Sequence, residues 1–281
     1  MITKNPMQLK AFIKKMSAEK NISPQLVMQN YMLERLLERI SLSKYKNNFI
    51  LKGGFLISVV VGLQTRSTMD LDTTITGFTL TNENIKEIFS EICAINIDDN
   101  VSFAIGEVSD IREADDYPGS RLHLKANYFP ISVPLTVDIT TGDIITPKEI
   151  EFTFPLLFDN RSISILAYNL ETVLAEKIET VLSRSIANTR IRDFYDIYIL
   201  YSLRNQEINY DTLKKAIQKT TEKRGSTHIL RAYEEIIFEI RNNKQLQKFW
   251  NNYQKKFNYA KEISFDDICD NTLNLLKKLM E

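Results

Sequence analysis

Soft metal ligands are scarce in this chain. Two cysteines, Cys93 and Cys269, and two histidines, His123 and His228, are scattered through 281 residues without metal-ligand spacing. A disulfide framework is excluded by that scarcity, and a zinc centre has nothing to build on. Long apolar runs are missing as well. The longest nearly apolar stretch, Phe55 to Leu63, falls far short of the roughly 20 residues needed to cross a bilayer. The opening residues Met1-Ile2-Thr3-Lys4-Asn5-Pro6 carry no signal-peptide core, so a cytoplasmic location with no membrane partner is expected. No P-loop, dinucleotide fingerprint or nucleophile elbow occurs. Nor is either charge in excess: 36 basic residues balance 36 acidic ones, which removes any general pull toward nucleic acid or membrane. Residues 1–160 hold 16 Lys/Arg against 20 Asp/Glu, so an anionic partner is expected on the more basic C-terminal part.

What remains is ordinary globular material, 43% hydrophobic and 26% charged. Residues 7–46 read as two helices, the second capped by Ser23 with Pro24 at its first position and Leu26, Leu33, Leu36, Leu37 and Ile40 at helical spacing. Phe49–Lys52 reads as a short strand, followed by Gly53-Gly54, a short helix over 55–61 and a strand over 71–75. A helix is expected at 83–95. Strands are expected at 101–108, 120–128, 132–140 and 150–154, with turns at Pro118-Gly119 and Thr141-Gly142-Asp143. Past about residue 165 the pattern is helical: 170–184, 191–204, 211–223, 226–242, 244–258 and 265–280. The expected class is α+β, a mixed-sheet domain over 49–165 followed by a helical domain over 166–281, with the helices of 1–48 packed on the core.

The chemistry concentrates in carboxylates. In a strand, residues i and i+2 share a face, so Asp70 and Asp72 stand side by side with Leu71 turned inward. Such a pair is costly without a positive partner, and a divalent cation fits it. A third carboxylate, Asp138, is the lone charge in the alternating strand Leu135-Thr136-Val137-Asp138-Ile139. If the two strands are neighbours, three hard oxygen ligands converge, a set suited to Mg²⁺ or Mn²⁺ and to in-line attack on a phosphate ester. Asp70, Asp72 and Asp138 are therefore the expected metal ligands and catalytic residues. Gly53 and Gly54 would let backbone N–H groups approach phosphate at a helix N-terminus.

The run Lys52-Gly53-Gly54 through Arg66-Ser67-Thr68-Met69-Asp70-Leu71-Asp72 resembles the DNA polymerase β-like nucleotidyltransferases. More narrowly, it is similar to the AbiEii/AbiGii abortive-infection toxins, the toxin halves of type IV toxin–antitoxin pairs. The likeness runs from about Phe49 to Leu203. A small hydroxyl residue often follows the glycine pair in that group, whereas Phe55 stands here, so Ser58 or Ser67 would supply the phosphate contact, alongside Arg66.

A second constellation is Ala175-Glu176-Lys177 with Arg192-Asp193-x-x-Asp196. Lys177 lies in the apolar stripe of its helix and needs an anion, either a nucleotide phosphate or a structural partner such as Asp193 or Asp196. Those two acids are i, i+3 neighbours that also suit an inter-helix salt bridge. By the resemblance, Lys177 would contact the triphosphate, Asp193 and Asp196 would orient it or the nucleotide, and Arg192 would join them. Elsewhere, Asp98-Asp99 and Asp115-Asp116 read as loop charges and His123 as packed or exposed. Trp250 with Phe249, Tyr253 and Phe257 reads as a core-facing helix face. Lys214, Lys215, Lys219, Lys223 and Arg224 read as a solvated helix surface.

The resemblance implies an enzyme that transfers NMP from an NTP to an acceptor hydroxyl, with the 3′ end of tRNA as acceptor and arrest of phage spread as the outcome. It also implies an antitoxin that is a separate DNA-binding repressor without a stable toxin complex. The same centre would serve transfer to a small molecule or a protein side chain. A non-enzymatic GTP- or ATP-binding module is the third reading.

Overall fold

The computed structural model describes residues 5–111 and 119–281. The expected loop charges Asp115 and Asp116, the Pro118 end of the expected turn and the first four residues lie outside the described residues. The chain divides into two compact units. One runs to Asp143 and takes in Ile150–Ala167; the other comprises Ile144–Glu149 and Tyr168–Glu281.

The first unit opens with helices α1 (Pro6–Lys20) and α2 (Pro24–Leu42). Ser23 caps α2 by accepting the Leu26 amide at 3.1 Å, and Pro24 takes the first turn, where its missing N–H costs nothing. Then come β1 (Phe49–Lys52), α3 (Gly53–Val61), β2 (Asp70–Ile75), α4 (Asn82–Cys93), β3 (Ser102–Asp110), β4 (Gly119–Tyr128), β5 (Ile131–Thr141), β6 (Ile150–Pro155) and β7 (Ser162–Ala167). Among the described residues these strands form one seven-stranded sheet in the order β3-β4-β5-β2-β1-β7-β6. The pairs β2–β5 and β1–β7 are parallel and the rest antiparallel, so the sheet is mixed and the class is α+β. Strand β7 is absent from the sequence reading, which ended the strands at 154. It gains its order from β6 along its whole length and from β1 at Ile50 and Leu51.

Helix α2 is buried on nearly every side, including its charges. Glu34, Arg35, Glu38 and Arg39 are all inside, and Arg35 bridges Glu34 and Glu38. Arg39 holds both oxygens of Asp99 at 2.8 Å and donates to the Val101 carbonyl at 2.7 Å. Asp99 is 1% exposed, which corrects its reading as a loop charge. A bidentate guanidinium satisfies both of its oxygens, so burial is sustainable.

The second unit is helical: α5 (Leu170–Arg184), α6 (Ile191–Arg204), α7 (Tyr210–Lys223), α8 (Tyr233–Asn242), α9 (Lys244–Lys256) and α10 (Phe265–Met280). Asn169 caps α5, accepting the Thr172 amide at 2.8 Å while its amide donates to the Thr146 and Lys148 carbonyls. The helix expected over 226–242 starts only at Tyr233. Gly225 at φ +65° ends α7, and a 3₁₀ turn over Thr227–Leu230 follows. Trp250 and Tyr253 are buried and stack with rings 5.4 Å apart, in keeping with a core role. Arg224 is drawn in to Glu179 and Thr180, which takes it out of the solvated surface expected for Lys214, Lys215 and Lys219.

Burial pushes the Glu34 carboxyl up to about 7, against the opposing pull of Arg35 and the Leu157 amide. The folded state then retains a proton that the unfolded chain releases near pH 4.5, so stability falls as pH rises from about 4.5 to 7. Glu34→Gln is expected to flatten that slope by an amount on the order of 3 kcal/mol at most, read from melting temperatures between pH 5 and pH 8. Parallel melting profiles for the two proteins would contradict it.

Candidate active site

Register assembles the site. Asp72 on β2 pairs in parallel register with Asp138 on β5, and Asp70 pairs with Thr136 two positions earlier. Paired residues lie on the same face, so all three acids share one side of the sheet, with adjacent strands about 5 Å apart. The row continues outward in both directions. Arg121 on β4 pairs with Asp138, and Lys52 on β1 pairs with Asp72. Four neighbouring strands thus present basic, acidic, acidic and basic side chains in one line, with the two acids in the middle.

Each carboxylate of the central pair has a defined counterpart. The Gly54 amide, in the first turn of α3, donates to Asp72 Oδ2 at 3.0 Å, so the positive end of the helix faces Asp72. Arg121 grips Asp138 through two bonds, Nε to Oδ1 and Nη2 to Oδ2, each 2.7 Å. The Arg121 guanidinium holds its proton more firmly than usual, chiefly through that bond and also through the charges of Asp138, Asp70 and Asp72. It feels all three acids.

Gly53 explains itself through Asp72. Its φ is +62°, and a Cβ there would sit 2.3 Å from Asp72 Oδ2. Only glycine lets the β1–α3 turn pass so close to the carboxylate. Gly54 is tight for another reason, since a Cβ would come within 2.8 Å of Arg66 Nη2. Arg66 itself is 1% exposed and donates to the Ser67 carbonyl at 2.7 Å. Phe55 stacks on Phe154 at 6.0 Å with rings nearly parallel, which accounts for an aromatic where a hydroxyl residue was expected. Ser58 is buried and donates to the Phe55 carbonyl at 2.7 Å, so its hydroxyl is committed to its own helix. Ser67 is half-buried, between Arg66 and Thr68.

At the far end of the row, the Lys52 ammonium donates to Thr140 Oγ1 and Asp143 Oδ2, both at 2.7 Å. Burial would raise the Asp143 carboxyl, but Lys52 and the hydroxyls of Thr140 and Thr74 outweigh it and hold it at about 2. His123 is exposed.

In the second unit, Lys177 on α5 pairs with Asp193 and with Asp196, the latter at 3.2 Å; both acids are on α6. Arg190 holds the other oxygen of Asp193 at 2.8 Å. Burial would lower the Lys177 ammonium, but the two carboxylates prevail and raise it, so it stays charged. Two carboxylates account for two of the three N–H donors of an ammonium. Arg192 is half-buried with its guanidinium 5.5 Å from the Phe257 ring centroid.

Sequence reasoning missed Arg121, the charge nearest the acids, although a signal for it existed. A two-residue turn at Phe129-Pro130 pairs Tyr128 with Ile131, and counting back along both strands brings Arg121 to Asp138. Among the described residues no group of three or more acid, His or Cys side chains is already arranged as a metal cage. The donor set nevertheless suits a hard cation: carboxylate oxygens lie on one face of the sheet, with a guanidinium against one of them.

Comparison with known proteins agrees with this architecture. The family model described as nucleotidyl transferase AbiEii toxin, type IV TA system, matches residues 35–271. No curated protein matches the sequence. Two solved structures share the fold at 13% identity: a candidate nucleotidyltransferase from H. pylori, with a TM-score of 0.52 over 92% of this chain and 98% of the other, and JHP933 from Helicobacter pylori, with a TM-score of 0.51 over 92% and 94%. No helix among the described residues is long and apolar enough to cross a membrane. With most of its length matched, the chain belongs to the AbiEii nucleotidyltransferase toxin family of type IV toxin–antitoxin systems.

Proposed function

We propose that this protein transfers NMP from an NTP to an acceptor hydroxyl with release of pyrophosphate, using Mg²⁺ or Mn²⁺ held by Asp70, Asp72 and Asp138. The observation that carries this is the parallel register of Asp72 with Asp138, which gathers three carboxylates beside a glycine turn at a helix N-terminus. Bound there, the divalent ion would polarise the phosphoryl group and lower the pKa of the attacking hydroxyl. The chain's own residues do the rest. Asp72 is fixed by the Gly54 amide, so its second oxygen is directed by the backbone rather than by a mobile side chain. Asp138, 19% exposed, would bridge to the metal of the nucleophile or accept the proton of the incoming hydroxyl. Within the first unit Ser67 is the proposed nucleotide contact, with the buried Arg66 packed against the Gly54 turn. Within the second, Lys177, held by Asp193 and Asp196, and Arg192 are the groups proposed for nucleotide phosphate.

Family membership supports the 3′ end of tRNA as the acceptor, since capping that end would stop charging and arrest translation and phage growth. It equally supports an antitoxin that acts as a DNA-binding repressor without a stable complex. The absence of excess positive charge favours one alternative, transfer to a small molecule or protein side chain, for which no nucleic-acid affinity is needed.

Incubating the protein with labelled NTPs, Mg²⁺ and total cell extract, then separating RNA, protein and metabolites, distinguishes these acceptors. Label is expected in tRNA; label in none of the three fractions would contradict nucleotidyl transfer. Asp70→Asn and Asp72→Asn are each expected to cost roughly a thousandfold in transfer rate, the scale of several kcal/mol of metal stabilisation, with melting temperature unchanged or raised. Gly53→Ala forces a side chain into a left-handed backbone, costing about 1–2 kcal/mol, and drives its Cβ into Asp72. A lowered melting temperature together with lost transfer is expected, and full activity in that variant would show that the turn does not hold Asp72.

A further inference from the structure

Arg121–Asp138 is more accessible than two enclosed charged pairs of the first unit. Arg39–Asp99 and Lys52–Asp143 are enclosed, whereas the Arg121 side chain is 44% exposed. Its guanidinium takes both oxygens of Asp138, an acid the proposed reaction requires, and Asp70 and Asp72 lie on the same face. One of the acids is thus already held by a cation. Ion pairs with an exposed member contribute little net stability in water, so the guanidinium gives up this position at small cost. A divalent ion at three carboxylates gains more, because each interaction carries twice the charge. Once displaced, a guanidinium matches phosphate oxygens with the same two-pronged geometry it used on the carboxylate.

We propose that Arg121 is an exchangeable counter-cation: it neutralises the acidic centre when metal is absent, yields Asp138 to the incoming metal, and then turns to the phosphates of the nucleotide. Resting on the metal-dependent reading above, this makes Arg121 a positioning residue and gates the centre by charge. Metal alone must compete with Arg121 for Asp138. Metal with a polyphosphate does not, because the phosphate gives the guanidinium a new partner. The centre is therefore set to load metal and nucleotide together.

Opposite signs distinguish this from a purely structural role. In Arg121→Gln, the full-length protein is expected to bind Mn²⁺ alone about tenfold more tightly, followed by electron paramagnetic resonance of free Mn²⁺, since the competitor is gone. The same variant is expected to bind inorganic tripolyphosphate in saturating Mn²⁺ about tenfold more weakly by calorimetry, since the guanidinium partner is lost. Arg121→Lys, which keeps the charge but not the fork, carries the same signs at smaller size and serves if the Gln variant does not fold. Unchanged or weakened Mn²⁺ affinity, or unchanged tripolyphosphate affinity, overturns the exchange while leaving the metal centre standing. If neither wild type nor variant binds Mn²⁺, the carboxylate centre of the proposed function falls, and the exchange with it.

Discussion

Two carboxylates set beside each other on adjacent parallel strands repel, and the first unit is arranged around how that repulsion is met. At about 5 Å, the spacing of neighbouring strands, two unit charges at an effective dielectric of 20 oppose each other by roughly 3 kcal/mol. Asp72 and Asp138 occupy such positions. A helix N-terminus answers one acid and a guanidinium the other. Strand pairing delivers both answers: β1 lies beside β2, so the β1–α3 turn bends through a glycine onto Asp72, and the β4–β5 hairpin carries Arg121 across to Asp138. Like charges gathered at one place in this way are the pattern expected of a site of chemistry.

The second unit handles charge differently. Lys177, Asp193 and Asp196 form a buried cluster in which two acids hold one base, with Arg190 closing the remaining side of Asp193. Removing the base from such a cluster leaves carboxylates facing one another without water, so the cluster is stable only as a whole. The arrangement keeps the lysine charged in spite of burial.

Much of the fold was legible in residue patterns. Period-two alternation in residues 120–140 marked two strands of a hairpin, and the Ser23-Pro24 start of α2 was written in its capping residue. The carboxylate set could be read because D-x-D in a strand has one geometric consequence. What escaped was long-range. Strand β7 is ordered by β6 and β1 rather than by its own composition, and no local pattern reveals that. Asp99 read as a loop charge because nothing near it in the sequence shows that Arg39, sixty residues away, will hold it. Phe55 looked like a gap in the phosphate grip until Phe154 supplied its packing partner. Arg121 was recoverable from hairpin arithmetic, but its role needed Asp138 to be seen next to Asp72.

The central claim is that acids from two separate strands trap one divalent ion. Anomalous diffraction from crystals soaked in Mn²⁺ with an NTP analogue that resists transfer measures this directly. The expected result is a manganese peak bounded by the carboxylates of Asp70, Asp72 and Asp138, with the Arg121 guanidinium moved off Asp138. A manganese peak elsewhere, or an Asp138 still clasped by Arg121 beside a bound nucleotide, would contradict it.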